Sequence, residues 1–134
     1  MKKIILIEDD QDLLNLLQEV LRNEGFEVIP FPDKNSVKRI IIIRPDRVLM
    51  DNQLTDGLGS SLCREIKANE LTKDIPVLLV SGDPDLPALA RESGADAYLA
   101  KPFNIDDLVR MVRTWAGGFD DIPDPDTFDS TEPA

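Results

Sequence analysis

Short apolar runs and helically spaced apolar positions take turns along this chain from residue 3 to residue 115. Lys3 to Ile7 reads Lys-Ile-Ile-Leu-Ile, a run without polar alternation that predicts a strand buried on both faces. It breaks at Glu8-Asp9-Asp10. Leu13, Leu14, Leu17, Val20 and Leu21 then recur at helical spacing, with Asp10 or Asp12 available at the amino end and Gly25 as the stop. Phe26 to Pro30 predicts a second strand. Val37, Ile40 and Ile41 predict a helix from about Lys34. The run Ile40 to Ile43 could equally be a strand, but the break Arg44-Pro45-Asp46 assigns it to the end of that helix. Arg47 to Met50 predicts a third strand ending on Asp51, followed by a glycine-rich loop from Leu54 to Gly59 and a helix through Leu62 and Ile66 to about Asn69. Pro76 to Val80 predicts a fourth strand, closed by Ser81-Gly82-Asp83-Pro84. A short helix over Leu86 to Ser93 stops at Gly94. Ala97 to Ala100 predicts a fifth strand, closed by Lys101-Pro102. A last helix places Ile105, Leu108, Val109, Val112 and Trp115 on one face, with Asp106 and Asp107 in its first turn.

Five strand-then-helix alternations predict an α/β fold, a doubly wound five-stranded parallel sheet covered on both faces. The pattern collapses after Gly117-Gly118 into Asp, Pro, Thr and Ser. The expected organisation is therefore one domain over 1–116 and an acidic, Pro-rich tail or linker over 117–134, the latter disordered. Net charge is −11, and six acids with no base fall in residues 116–134, so the rest carries only −5. That balance argues against nucleic acid as a direct partner. No apolar run approaches the roughly 20 residues of a membrane span, and Glu8-Asp9-Asp10 interrupts the amino end too early for a secretory signal. The chain has one cysteine and no histidine, which excludes an internal disulfide and effectively a zinc site. Cys63 reads as a small buried hydrophobe. The cytoplasm is the expected compartment.

In an open parallel sheet, sites gather at the carboxyl ends of the strands. Those ends carry Glu8, Asp9 and Asp10 on the first strand, Asp51 on the third, Ser81 on the fourth and Lys101 on the fifth. Each has a bland reading: acids after a strand cap helices, Asp51 could form a turn, Ser81-Gly82 is an ordinary turn pair, and Lys101 could be a solvated charge. Together they are harder to dismiss. Carboxylates brought to neighbouring strand ends repel one another unless a cation sits among them, and oxygen ligands that leave room for water suit Mg²⁺. A carboxylate beside Mg²⁺, a lysine and a hydroxyl is a suitable cradle for phosphoryl transfer.

At this point the chain resembles the receiver domain of bacterial response regulators, the family of the chemotaxis receiver. The resemblance rests on Ile4 to Asp10, Pro45 to Asp51, Ile75 to Gly82 and Gly94 to Phe103, in that order, and covers about residues 3 to 116. It implies a flavodoxin-like (βα)5 fold in which Asp51 accepts a phosphoryl group. Asp9 would bind Mg²⁺ directly, with Glu8 beside it and the Gln53 backbone carbonyl as a further ligand. Lys101 would pair with phosphoryl oxygens, and Ser81 would be the switch hydroxyl whose movement Tyr98 follows. Lys101-Pro102 matches a peptide bond usually cis in the family. The chain departs from the family at Thr55, where proline is usual, at Leu58, and between Ser81 and Lys101. That last segment is about two residues short and contains Pro84 and Pro87. Gln53, Gly82 and Asp83 flank the chemistry, and Gln53 and Asp83 occupy positions that influence phosphoryl lifetime.

The function so implied is a signalling switch rather than an enzyme. Its phosphoryl group would come from a histidine kinase or phosphotransfer protein, and its output would be a phosphorylation-dependent protein target. A monomer or weak homodimer is expected. Two variants stay open: a receiver portion of a longer regulator, and a degenerate receiver acting without phosphorylation. Asp51-Asn52-Gln53-Leu54-Thr55 also approaches the Asp-x-Asp-x-Thr motif of haloacid-dehalogenase-type phosphatases. Gln53 cannot serve there as the general acid, and the motif follows the third strand instead of the first. A flavin-binding reading fails on the acidic first loop, which would repel a phosphate.

Overall fold

A computed structural model describes residues 2–31, 37–54 and 57–115. Ten elements alternate: β1 (Lys3–Ile7), α1 (Gln11–Asn23), β2 (Glu27–Phe31), α2 (Val37–Ile43), β3 (Arg47–Asp51), α3 (Gly59–Ala68), β4 (Val77–Ser81), α4 (Leu86–Ser93), β5 (Ala97–Ala100) and α5 (Ile105–Trp115). The five strands form one parallel sheet in the order β2-β1-β3-β4-β5, the flavodoxin-like arrangement that the alternation and the resemblance imply. The start of α2, placed near Lys34 from the sequence, and the tail over 117–134 lie outside the described residues.

Successive side chains of a strand point to opposite faces, and both faces here are apolar. Ile4 and Leu6 join Leu49, Leu78, Val80 and Leu99 beneath α1 and α5, through Leu14, Leu17, Leu21, Leu108, Met111 and Val112. Ile5 and Ile7 join Val48, Met50, Val77 and Leu79 on the other face, against Ile40 of α2, Leu62, Cys63 and Ile66 of α3, and Leu86 and Ala90 of α4. Cys63 is wholly buried, and that burial pushes its thiol pKa up, in keeping with a packing role. Pro30 fits because β2 is an edge strand, where a missing N–H breaks no second ladder.

Helix ends follow local chemistry. Asp10, one of the two acids the sequence offered, is the N-cap of α1, its Oδ1 accepting the N–H groups of Asp12 and Leu13 at 3.0 and 3.2 Å. Pro87 lies in the first turn of α4, where a helix N–H has no partner within the helix, so that proline is accommodated. Gly94 ends α4 with φ 80°. α2 ends differently: Arg44 takes φ 54° just beyond its last residue, a left-handed position that glycine fills at less cost. Arg44→Gly is therefore expected to stabilise the fold by about 1 kcal/mol, read as a higher urea midpoint at unchanged slope.

At the amino edge of the sheet, the Lys67 ammonium at the end of α3 donates to Asp96 Oδ2 at 2.7 Å and to the carbonyls of Ile75 and Lys73 at 2.7 and 3.2 Å. Asp96 Oδ2 also accepts the Val77 N–H at 2.8 Å. One half-buried ion pair thus joins α3, β4 and β5. Asp96→Ala leaves the ammonium and the Val77 N–H without that carboxylate and is expected to cost about 2 kcal/mol, measured by chemical denaturation. No helix among the described residues is long and apolar enough to cross a membrane.

Candidate functional site

The carboxyl ends of β1, β3 and β5 converge because those strands are near neighbours in the sheet. Asp51 is the last residue of β3 and is 7% exposed; Glu8, just past β1, is 3% exposed. Asp9 beside it is half-buried. One carboxylate oxygen from each of Glu8, Asp9 and Asp51 lies within 4.8 Å of the others. Lys101, just past β5, extends across the group, its Nζ 3.1 Å from Asp51 Oδ1 and 3.4 Å from Glu8 Oε1.

Burial and like charge work against ionisation here. Burial, with Asp51 adjacent, raises the Glu8 carboxyl above its ordinary range in spite of Lys101. Burial also raises Asp51; Lys101 opposes that shift and Asp9 adds to it. Burial alone would depress Lys101, but Asp51 and Glu8 hold its ammonium above the ordinary lysine range. One ammonium among three carboxylates leaves a net negative, oxygen-rich pocket, a donor set that fits a hard divalent cation such as Mg²⁺.

The remaining residues singled out from the sequence sit around this pocket. Ser81 ends β4 and is buried; its Oγ accepts the Asp83 N–H at 3.0 Å, and its carbonyl accepts the Lys101 N–H at 2.8 Å. Asp83 Oδ1 in turn accepts the Asp85 N–H at 2.8 Å, ordering the turn that carries Gly82 into α4. Gly82 is exposed and Pro102 follows Lys101 through a cis peptide bond. Gln53 has an exposed side chain and pairs with Leu58 in a two-residue antiparallel ladder, Gln53–Leu54 against Gly57–Leu58. The sequence had suggested only a loop there. Tyr98 lies half-buried on β5, packed against the cluster that includes Leu86 and Ala90 of α4.

Two residues that positional reasoning passed over hold Asp51 in place. Asn52 is 2% exposed, and its Oδ1 accepts the Ser60 N–H at 2.8 Å, while its carbonyl accepts the Gly59 N–H at 2.7 Å. Leu58, the residue before α3, makes no side-chain cap, so the cap comes from Asn52, eight residues before the Ser60 whose N–H it accepts. Gly59 packs so closely on the strand end that a Cβ there would collide with the Asp51 carbonyl oxygen and come within 3.0 Å of Asn52 Cα. The available signal was a glycine opening a helix that lacks a capping residue directly before it.

Beside the pocket, Leu13, Leu16, Pro102, Phe103 and Ile105 line an apolar groove of about 490 Å³ with Lys101 at its edge. The profile of the family described as response regulator receiver domain matches residues 4–113. Over 125 residues the chain is 34% identical to the DNA-binding response regulator MtrA of Mycobacterium leprae, an alignment covering 91% of this chain and 54% of that protein. Over 115 residues it is 30% identical to the phosphate regulon transcriptional regulatory protein PhoB of Pseudomonas aeruginosa, covering 84% and 50% respectively. The chain spans about half the length of the curated relatives it matches. Among solved structures, a response regulator from Chloroflexus aurantiacus superposes with a TM-score of 0.82 at 30% identity, over 87% of this chain and 98% of that one. The receiver domain of the sensor histidine kinase PA1611 from Pseudomonas aeruginosa, solved with a magnesium ion in its active-site cleft, gives 0.79 at 30% identity over the same shares.

Proposed function

The chain belongs to the response regulator receiver domain family, and from that premise we propose that it is a phospho-accepting switch of two-component or phosphorelay signalling with Asp51 as acceptor. The observation that carries this reading is the Asp51 carboxylate, buried at a strand end, 3.1 Å from the Lys101 ammonium and grouped with Glu8 and Asp9. Glu8, Asp9, Asp51 and the Gln53 carbonyl would hold Mg²⁺, which when bound neutralises charge developing on the phosphoryl oxygens. The PA1611 receiver, with magnesium in its cleft, supports that assignment.

In the proposed reaction an Asp51 oxygen attacks the phosphorus of a partner's phosphohistidine. A P–O bond forms as the P–N bond breaks, and the nitrogen keeps the electron pair. Lys101 orients the carboxylate beforehand and pairs with a phosphoryl oxygen afterwards. The Ser81 hydroxyl would exchange its bond from the Asp83 N–H for one to the phosphoryl group, and Tyr98 would follow it into the space beside α4. Gln53 and Asp83, each two residues past an active-site position, would influence the phosphoryl lifetime, with Gly82 beside them. The apolar groove at Leu13, Leu16 and Phe103 offers a donor protein a docking surface beside the acceptor. The receiver body is assigned to 1–116, with 117–134 as a tail or linker, in a cytoplasmic protein.

Incubation with Mg²⁺ and acetyl phosphate tests this directly: intact mass increases by one phosphoryl group, and omission of Mg²⁺ prevents the gain. Failure across several phosphoryl donors would leave a degenerate receiver acting as an unphosphorylated interaction module. A second reading is favoured by the greater length of the curated relatives: the chain is the receiver portion of a longer regulator. A pull-down with and without beryllofluoride separates the two, since a stand-alone switch captures a target only in the beryllofluoride state.

A further inference from the structure

Asn52 follows Asp51 directly, is almost wholly buried, and joins both β4 and the first turn of α3. Its N–H donates to the Val80 carbonyl on β4 at 2.9 Å, and its own carbonyl accepts the Gly59 N–H at 2.7 Å. Its Oδ1 accepts the Ser60 N–H at 2.8 Å, a bond buried at both ends. The first two bonds belong to the backbone and are open to any side chain at this position. Only the third depends on the side chain.

A helix ordinarily receives that third bond from the residue directly before it. Here that residue is Leu58, whose backbone is extended at φ −102° and ψ 135°, as a cap requires, but whose side chain has no acceptor. A cap at that position stabilises the helix alone. The bond from Asn52 also fastens α3 to the end of β3, immediately beside the acceptor carboxylate. Gly59, packed on the Asp51 carbonyl, limits how closely α3 can approach, and the Asn52 side chain resists its withdrawal. The strand end needs such a restraint. Carboxylate oxygens of Glu8, Asp9 and Asp51 crowd within 4.8 Å of one another, and their mutual repulsion acts to spread the strand ends. The residues flanking Asn52 are both assigned above to Mg²⁺, Asp51 through its carboxylate and Gln53 through its carbonyl.

We propose that Asn52 is a positioning residue for the metal: its bond to Ser60 holds Asp51 and Gln53 in the arrangement that receives Mg²⁺, and loss of that bond weakens Mg²⁺ binding about tenfold. The proposal rests on the reading of Asp51 as a Mg²⁺-dependent acceptor. Its physical basis is preorganisation. Ligands already held together lose little freedom when the ion arrives, whereas a strand end released from α3 has to be ordered by the ion itself.

The test uses the full unphosphorylated chain and two readouts side by side. One is the Mg²⁺ dissociation constant, from amide shifts of isotopically labelled protein at Glu8, Asp9 and Asp51; the other is the urea midpoint. Asn52→Ala is expected to lower the midpoint and to weaken Mg²⁺ binding by the stated factor. Adding Leu58→Ser returns an acceptor to the Ser60 N–H and restores the midpoint, while Mg²⁺ binding stays weak. Leu58→Ser alone keeps the wild-type affinity. Asp96→Ala, expected to be destabilised at the opposite edge of the sheet, keeps it as well. That variant also supplies the comparison at low stability should Leu58→Ser fail to restore the midpoint. Wild-type affinity in Asn52→Ala, or its return in the double variant, overturns the proposal and leaves Asn52 a helix cap. Equal weakening in Asp96→Ala overturns it too, because the loss then follows from stability. Absence of Mg²⁺ shifts in the wild type overturns the metal reading and this proposal with it, an outcome distinguished by the wild type alone.

Discussion

Asp51→Asn is expected to remove the mass gain with Mg²⁺ and acetyl phosphate completely while raising the melting temperature of the metal-free protein. The first effect follows from chemistry: the amide is a poor nucleophile and forms no acyl phosphate under these conditions. The second follows from electrostatics. Asp51 and Glu8 are both held above the ordinary carboxylate range, first by burial, so the folded state binds their protons more tightly than the unfolded chain does. A carboxyl shifted in that direction favours the fold at low pH and loses its contribution as pH rises through the folded-state pKa. Asparagine removes Asp51's share of that loss. The gap in melting temperature between variant and wild type should widen as pH rises from the ordinary carboxylate range toward neutrality, and Mg²⁺ should narrow it by stabilising the wild type. A wild type that melts higher than the variant at neutral pH without Mg²⁺ would contradict the electrostatic account, and a persistent mass gain in the variant would place the acceptor elsewhere.

Gly59→Ala should damage stability and chemistry together. Its methyl group would strike the Asp51 carbonyl and crowd Asn52 Cα, both backbone atoms with no rotamer to change. Either α3 moves away from the sheet, opening the packing of Leu62, Cys63 and Ile66, or the end of β3 shifts and takes Asp51 with it. Overpacking of this kind costs about 2–3 kcal/mol. A lower denaturation midpoint together with slower phosphorylation by acetyl phosphate is the expected pair of results. A midpoint equal to wild type would show that the helix accommodates the methyl without strain. Ser61→Ala, two residues further along the same helix and half-buried, serves as the control for helix propensity.

The sheet was legible because its strands are nearly pure apolar runs. A run such as Val77 to Val80 can only be satisfied between two covered faces, and that forces the helices outward on both sides. Most element boundaries fell within one or two residues, as at β2, which runs Glu27–Phe31 instead of Phe26 to Pro30. The placement of Glu8, Asp9, Asp51, Ser81 and Lys101 at the carboxyl edge followed from strand direction alone. What escaped has a common physical character. The Asn52 cap, the Gly59 contact and the Lys67–Asp96 pair each join positions that no helical or strand period relates. The small ladder at Gln53–Leu54 is too short to leave a pattern. Between Asp10 and Asp12 the sequence offered no discrimination, since either acid could cap; the backbone of Asp10, extended at φ −76° and ψ 110°, decided it.

The Lys67–Asp96 pair stitches the amino edge of the same strands whose carboxyl edge crowds three carboxylates together. Under a selection that rewarded heat resistance and ignored signalling, these two edges would evolve in opposite directions. Neutral replacements of Glu8 or Asp51 would spread early, because each relieves repulsion in a buried group, while changes at Asp96 would be purged. The acidic set is therefore a feature that selection for stability alone would not retain.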